Sequence, residues 1–209
     1  MRYLKAFAVA MVATMALISL AGAGSASAAA TLCSKNEALC AVGNTYGIGT
    51  KLELNLVAGS KAVFEAAMFK VECKKSEIKF TYEDKSTGGN PTGKLSTLTF
   101  AECGAGCGVK VTAGSVEITT EGTVSNGNGF LNTTSSTEFT IECNGSSCIL
   151  LTRATGQGLG PIAGGAPAKL TVASGIPWKA GDDNEVVCGQ AVKWEGEYEV
   201  TSPKPLFVI

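Results

Sequence analysis

The sequence predicts an all-β chain, an antiparallel β-sandwich or jelly roll stapled by disulfides, and three observations carry that prediction. Apolar and polar side chains alternate with period two in many short runs, and clusters of Gly, Pro, Asn and Ser separate those runs. Eight cysteines follow an N-terminal leader. The composition agrees: of 209 residues, 26 are Gly, 21 Thr and 16 Ser, a mixture suited to turns and strands rather than helices.

Residues 1–28 come first. Arg2 and Lys5 precede an uncharged apolar stretch, and Ala26-Ser27-Ala28 closes it with a small-x-small pattern, the layout of a secretory signal peptide. An uncleaved membrane anchor is the rival reading, and Ala30 is an alternative to Ala28 as the cleaved residue. Leu32 stands before Cys33 where a lipoprotein needs a small residue, so lipid attachment is not expected. Removing residues 1–28 leaves one domain, 29–209, with 15 basic against 18 acidic side chains and a net charge of −3. No second apolar span follows, so no membrane crossing is expected after cleavage. The near balance of charge gives no field for nucleic acid.

The strands then follow one another. Leu52, Leu54 and Leu56 alternate with polar residues, as do Ile78, Phe80 and Tyr82. The same pattern recurs at Leu98 and Phe100, Val109 and Val111, Val116 and Ile118, Phe139 and Ile141, Leu170 and Val172, and through Val192, Trp194, Tyr198 and Val200. Residues 61–68 read as a turn or two of helix. Residues 86–93, Asn126-Gly127-Asn128-Gly129 and the Gly/Pro-rich residues 156–167 read as turns or loops. With no helices to make parallel crossovers, the connections are antiparallel.

All eight cysteines, Cys33, Cys40, Cys73, Cys103, Cys107, Cys143, Cys148 and Cys188, lie after the leader. An even number behind a leader implies a disulfide framework, whereas thiolate zinc sites use tighter ligand pairs than Cys103-x3-Cys107 or Cys143-x4-Cys148. Spacing cannot choose among 105 connectivities. Proximity suggests Cys33–Cys40 within a clipped segment at 29–48, Cys103–Cys107 and Cys143–Cys148, leaving Cys73–Cys188 as the long bridge; Cys73–Cys103 is a rival. Three Glu-Cys pairs, at Glu72-Cys73, Glu102-Cys103 and Glu142-Cys143, are expected to close strands with cysteine facing the core and glutamate facing water.

Several of these segments together carry a resemblance. They are Thr31-Leu32-Cys33 with Cys40, Tyr46-Gly47-x-Gly49-Thr50, Leu98-Thr99-Phe100-x-x-Cys103, Ile176-Pro177-Trp178 and the ending Tyr198-x-Val200-Thr201-Ser202-Pro203-x-Pro205-Leu206-Phe207-Val208. The chain resembles a group of uncharacterised secreted, cysteine-rich β proteins of soil actinobacteria. The resemblance implies secretion and a stapled β domain; the group has no assigned activity, so no functional residue is carried over.

The chemistry available is narrow. Without histidine, Ser-His-Asp and Cys-His catalysis and imidazole zinc sites are excluded. Asp182, Asp183 and Glu185 are the densest oxygen-ligand cluster and a weak candidate for a hard cation, but they lack Asp-x-Asp-x-Asp-Gly spacing. Glu195, Glu197 and Glu199 share one face of a strand, as a carboxylate-dependent glycosidase would need of a pair, though a solvated face reads the same way. Trp178, after Pro177, is the candidate ligand contact, whereas Trp194 is in phase with the core. Gly156-x-Gly158-x-Gly160 lacks the helix and Lys-Ser/Thr pair of a phosphate loop. Asn132-Thr133-Thr134 and Asn144-Gly145-Ser146 fit a glycosylation pattern of little meaning in bacterial secretion.

The expectation is therefore a secreted, non-catalytic extracellular or cell-envelope protein without a cofactor, whose partner is cell-wall polysaccharide or another extracellular protein. A secreted carboxylate-dependent polysaccharide hydrolase is the alternative. An inhibitor is the third reading, with residues 156–167 as its only long loop.

Overall fold

The computed structural model of the chain describes residues 29–86, 89–104, 106–112, 114–120, 127–153, 156–180 and 185–209. In chain order its strands are β1 (Leu32–Cys33), β2 (Lys51–Leu56), β3 (Ala62–Glu65), β4 (Lys70–Lys85), β5 (Pro91–Cys103), β6 (Cys107–Val111), β7 (Ser115–Thr120), β8 (Gly129–Thr133), β9 (Glu138–Cys143), β10 (Ser146–Leu151), β11 (Gln157–Ala163), β12 (Lys169–Pro177), β13 (Ala191–Ser202) and β14 (Phe207–Val208). A single-turn helix, α1 (Glu185–Cys188), precedes β13. The all-β class holds.

Its main sheet runs β12-β11-β8-β7-β5-β4-β2-β13, and β13 pairs back onto β12. The ring therefore closes into an eight-stranded antiparallel barrel, which is not clearly a sandwich or a jelly roll. Strand β3 continues the slot of β2: β2 lies against Glu77–Thr81 of β4, and β3 against Lys70–Cys73. Register shifts in the β4–β5, β13–β2 and β11–β8 pairs add twist and curl the sheet toward closure.

The alternation read from the sequence is the barrel's inside and outside. Leu52, Leu54, Ile78, Phe80, Tyr82, Val116, Ile118, Leu170, Val172, Val192, Trp194, Tyr198 and Val200 are all buried. Trp194 is the hub: Phe64 stacks on it at 5.9 Å, and Phe100 and Tyr198 meet it edge-on at 5.6 and 6.3 Å. The Tyr198 hydroxyl donates to Ser76 Oγ at 3.0 Å, and burial pushes its pKa well up.

Three strands leave the barrel together. β7, β8 and β11 continue beyond a bend as β6, β9 and β10, a separate three-stranded sheet that folds over one end. Phe139 of β9 reaches down to Trp194 at 5.7 Å. Bending frees backbone groups from the ladder, and hydroxyl and amide side chains take them up. Thr137 N–H donates to Thr152 Oγ1 at 2.8 Å, Ser115 N–H to Ser135 Oγ at 2.7 Å, and Glu138 N–H to Thr112 Oγ1 at 2.9 Å. Of the six buried polar side chains among the described residues, Thr133, Thr137, Thr152, Gln157 and Ser174 stand at this corner.

The opposite end is closed by the segments around β1 and β14. β1 pairs with β14, Thr31 N–H donates to Ile209 O at 2.7 Å, and Leu32, Leu206 and Val208 are buried beneath.

Four bridges form, Cys33–Cys40, Cys73–Cys103, Cys107–Cys143 and Cys148–Cys188. The first is as expected from proximity and the rival Cys73–Cys103 is correct; Cys103–Cys107, Cys143–Cys148 and Cys73–Cys188 are corrected. The reason is register: Cys73 stands opposite Cys103 across β4–β5, and Cys107 opposite Cys143 across β6–β9, so sequence neighbours lost to ladder neighbours. The Glu-Cys pairs also need correction in part, because Cys73 lies within β4 rather than at its end. Their glutamates do face outward, paired with Lys61, Lys75 and Lys110.

Two further expectations change. Residues 61–68 hold strand β3, because Ala62 and Phe64 point inward in step with β4 and β13. Residues 156–167 are mostly strand β11, whose glycines hide its alternation. A Cβ on Gly160, whose φ is +159°, would fall 1.8 Å from Thr171 O, and one on Gly158 would meet the Phe130 ring at 2.7 Å.

Candidate functional site

Among the described strands of the barrel wall, β11 and β12 share the shortest ladder, a seam in the wall. β11 pairs with β12 in ladder register only at Ile162–Leu170 and Ala163–Lys169; at Gly160 the backbones still touch, but the ladder has stopped. Gln157 fills the gap. Only 9% exposed, it accepts Arg153 N–H at 2.8 Å through Oε1, and its Nε2 donates to Ser174 Oγ at 3.2 Å and Gly175 O at 3.0 Å. A shallow polar groove of about 350 Å³ lies outside it, bordered by Arg153, Gly156, Ser174 and Pro177.

Trp178 begins the segment that follows this seam. Its N–H donates to Gln190 O, it bridges to Leu150 of β10, and its half-buried ring packs on the core with the indole nitrogen enclosed. Lys179 N–H donates to Ile149 O, and Cys188 bridges to Cys148, so the segment covers the outer edge of β10. The side chain expected to meet a ligand is thus seated in packing that hides a strand edge.

Asp182 and Asp183 lie outside the described residues, and Glu185 enters only as the first residue of α1. Among the described residues no group of three His, Cys, Asp or Glu side chains converges as metal ligands, and all eight cysteines are bridged.

The glutamates of β13 face outward as read. Glu195 pairs with Lys193 and Glu199 with Lys204, while Glu197 is exposed between them. Elsewhere Lys61 and then Lys70 hold the exposed Glu72 carboxyl below its ordinary pKa, and Lys75 does the same for Glu102. These are solvated pairs on open strands, not two carboxylates facing across a cleft. A small void of about 20 Å³ is lined by Ile78, Leu95, Val116, Leu131, Phe139 and Trp194, with Thr133, Thr137 and Thr152 on its corner side.

The surface feature not singled out in the sequence is aliphatic. The Cys33–Cys40 clip presents Leu39 at 85% exposure and Val42, in a 3-10 turn at Val42–Asn44, at 94%. Ile48 follows on the same segment, also exposed. The clip is held to the barrel by Tyr46, whose hydroxyl donates to Pro205 O at 2.7 Å and whose N–H donates to Leu32 O. Its signal was legible: between Glu37 and Lys51 the sequence carries no charge. Met68 and Val186 make a second exposed pair at the other end of the barrel, on adjoining segments joined by Met68 N–H to Val187 O.

No protein-family model, no curated protein and no solved structure matches the chain.

Proposed function

We propose that this is a secreted, non-catalytic protein of the extracellular space or cell envelope that works by binding, with the Cys33–Cys40 clip as its contact. The observation that carries the reading is the pair Leu39 and Val42, held in water on either side of the bridged Cys40 in a stretch, 38–50, that carries no charge. Leaving two aliphatic side chains in solvent on a stiff tip forgoes burial worth roughly 1.5–3 kcal/mol each, which a partner recovers on contact. The leader and four bridges support an oxidising compartment. No helix among the described residues is long and apolar enough to cross a membrane.

A protein partner fits better than polysaccharide. Sugar rings are gripped by exposed aromatic faces, and here the exposed large apolar side chains among the described residues are Leu39, Val42, Ile48, Met68 and Val186, none aromatic, while Trp178 packs on the core. The carboxylate-dependent hydrolase is disfavoured by the outward, lysine-paired glutamates of β13.

The test incubates oxidised protein beginning at Ala29 with isolated cell wall, the same wall stripped by protease, and insoluble polysaccharides, then assays protein in the pellet and sugar in the supernatant. Sedimentation with untreated wall, lost on stripping and lost in a Leu39→Asp, Val42→Asp variant, is expected. Released sugar would sink the non-catalytic reading, and retention on stripped wall would return the partner to polysaccharide.

A further inference from the structure

Both Ala26-Ser27-Ala28 and Ala28-Ala29-Ala30 offer small residues at the positions a signal peptidase reads. The folded chain distinguishes their products. We infer that the processed protein begins at Ala29, with the peptide bond after Ala28 as the cleavage site, because Ala30 is a working part of the barrel's closed end and Ala29 lies over Gly89 beside it. The inference rests on the leader reading.

Ala30 is wholly buried, and its N–H donates to Asn90 Oδ1 at 3.0 Å. Asn90 is held for that purpose: Nδ2 donates to Glu117 Oε1 at 3.1 Å, its N–H to Ser86 Oγ at 3.3 Å, and its carbonyl accepts Ser86 N–H at 2.8 Å. Gly89 makes room beside it. Its φ is +80°, and a Cβ there would stand 2.6 Å from the Cβ of Ala29. The next residue, Thr31, exchanges backbone hydrogen bonds with Ile209 at 2.7 and 2.9 Å.

The two cuts therefore differ in what they leave. Hydrolysis after Ala28 adds water across one peptide bond and places the new ammonium on Ala29, an exposed residue where it stays hydrated. Hydrolysis after Ala30 would remove a buried residue, leave Asn90 Oδ1 without its donor, and put the ammonium on the Thr31 nitrogen at the β1–β14 pair. Cleavage acts on the unfolded chain, so the fold does not guide the peptidase. It makes only one product complete.

The experiment has two arms. Intact mass and N-terminal sequencing of the exported protein should find Ala29 first; Thr31 first would overturn the inference, and a retained leader would overturn the leader reading and the inference with it. In the second arm, oxidised proteins starting at Ala29 and at Thr31 are melted, each with and without Asn90→Ala. The shorter chain should melt several degrees lower, and Asn90→Ala should lower the Tm of the Ala29 chain more than that of the Thr31 chain. Equal effects of Asn90→Ala in both backgrounds would show that Ala30 and Asn90 are not coupled and would overturn the structural basis of the assignment.

Discussion

Replacing Gln157 tests whether the barrel is closed by a side chain where its backbone ladder fails. Gln157→Leu keeps the volume and removes three hydrogen bonds, to Arg153 N–H, Ser174 Oγ and Gly175 O. At about 1 kcal/mol each, with a further 1–3 kcal/mol for leaving the buried Ser174 hydroxyl without its partner, the gross loss is roughly 4–6 kcal/mol. Burial of the leucine side chain returns about 2 kcal/mol, so the net loss is about 2–4 kcal/mol. For a domain of this size that is a fall in Tm of roughly 5–15 °C, readable by calorimetry on oxidised protein. Gln157→Glu separates hydrogen bonding from shape. The new carboxylate would be enclosed beside the Gly175 carbonyl, so its folded pKa would rise above the unfolded value near 4.3. Its protonated form can still donate to Gly175 O. The variant should therefore match the parent most closely near pH 4 and lose stability as pH rises from the unfolded toward the folded pKa. An unchanged Tm for Gln157→Leu, or a Gln157→Glu variant no more pH-dependent than the parent, would refute the seam argument.

Other expectations follow from the same structure. Peptide mapping without reduction should recover Cys33–Cys40, Cys73–Cys103, Cys107–Cys143 and Cys148–Cys188. Replacing Cys148 and Cys188 by alanine, a pair 40 residues apart, should cost about 4 kcal/mol in denaturant unfolding, against about 2 kcal/mol for Cys33 and Cys40, 7 apart. Val116→Ile extends a side chain into the void of about 20 Å³ and should raise stability by about 0.5 kcal/mol; a loss would mean the walls cannot take the methyl group. In an NMR titration Glu72 should ionise below the ordinary glutamate range and move back up in Lys61→Ala. The folded pKa is depressed, so its contribution is present above the unfolded pKa and fades as pH falls through the folded one.

What could be read from the sequence was set by side-chain alternation. Leu52 to Leu54, Ile78 to Tyr82 and Val192 to Val200 show one face apolar and one polar, and those strands stand where expected. β11 escaped because Gly158 and Gly160 have no side chain to alternate, and β3 because four residues are too few to separate period 2 from 3.6. Ring closure was illegible too. It depends on β12 meeting β13 across 169–177 and 191–199, a long-range pairing that local pattern does not encode. The same limit misassigned the cysteines. No apolar alternation marks Thr133, Thr137, Thr152 and Ser174 as interior, yet they are buried because a bent strand needs local acceptors and donors. Of the candidate site, Trp178 does follow Pro177 at the end of β12, but it bridges to Leu150 of β10, more than twenty residues earlier.

The position of the bridges says which part of the molecule needs them. None crosses the middle of the barrel wall: Cys107–Cys143 and Cys148–Cys188 hold the three-stranded sheet and its cover, Cys73–Cys103 joins β4 and β5 at that same end, and Cys33–Cys40 closes the clip. The barrel has its own support, with nine register pairs between β12 and β13 and long ladders between β4 and β5. The three-stranded sheet has strands of five or six residues and presents one face to the barrel through Phe139, Ile141 and Leu150. Such a sheet is near the lower limit of independent stability, so covalent cross-links carry proportionally more of its cohesion. Graded reduction should open it first. Amides of β9 and β10 should exchange at reductant levels that leave β12 and β13 protected, and tryptophan fluorescence should change as Phe139 leaves Trp194. A single rise in exchange across all strands at one reductant level would mean that barrel and cover unfold as one unit, and the bridges would then be supporting the whole domain rather than its end.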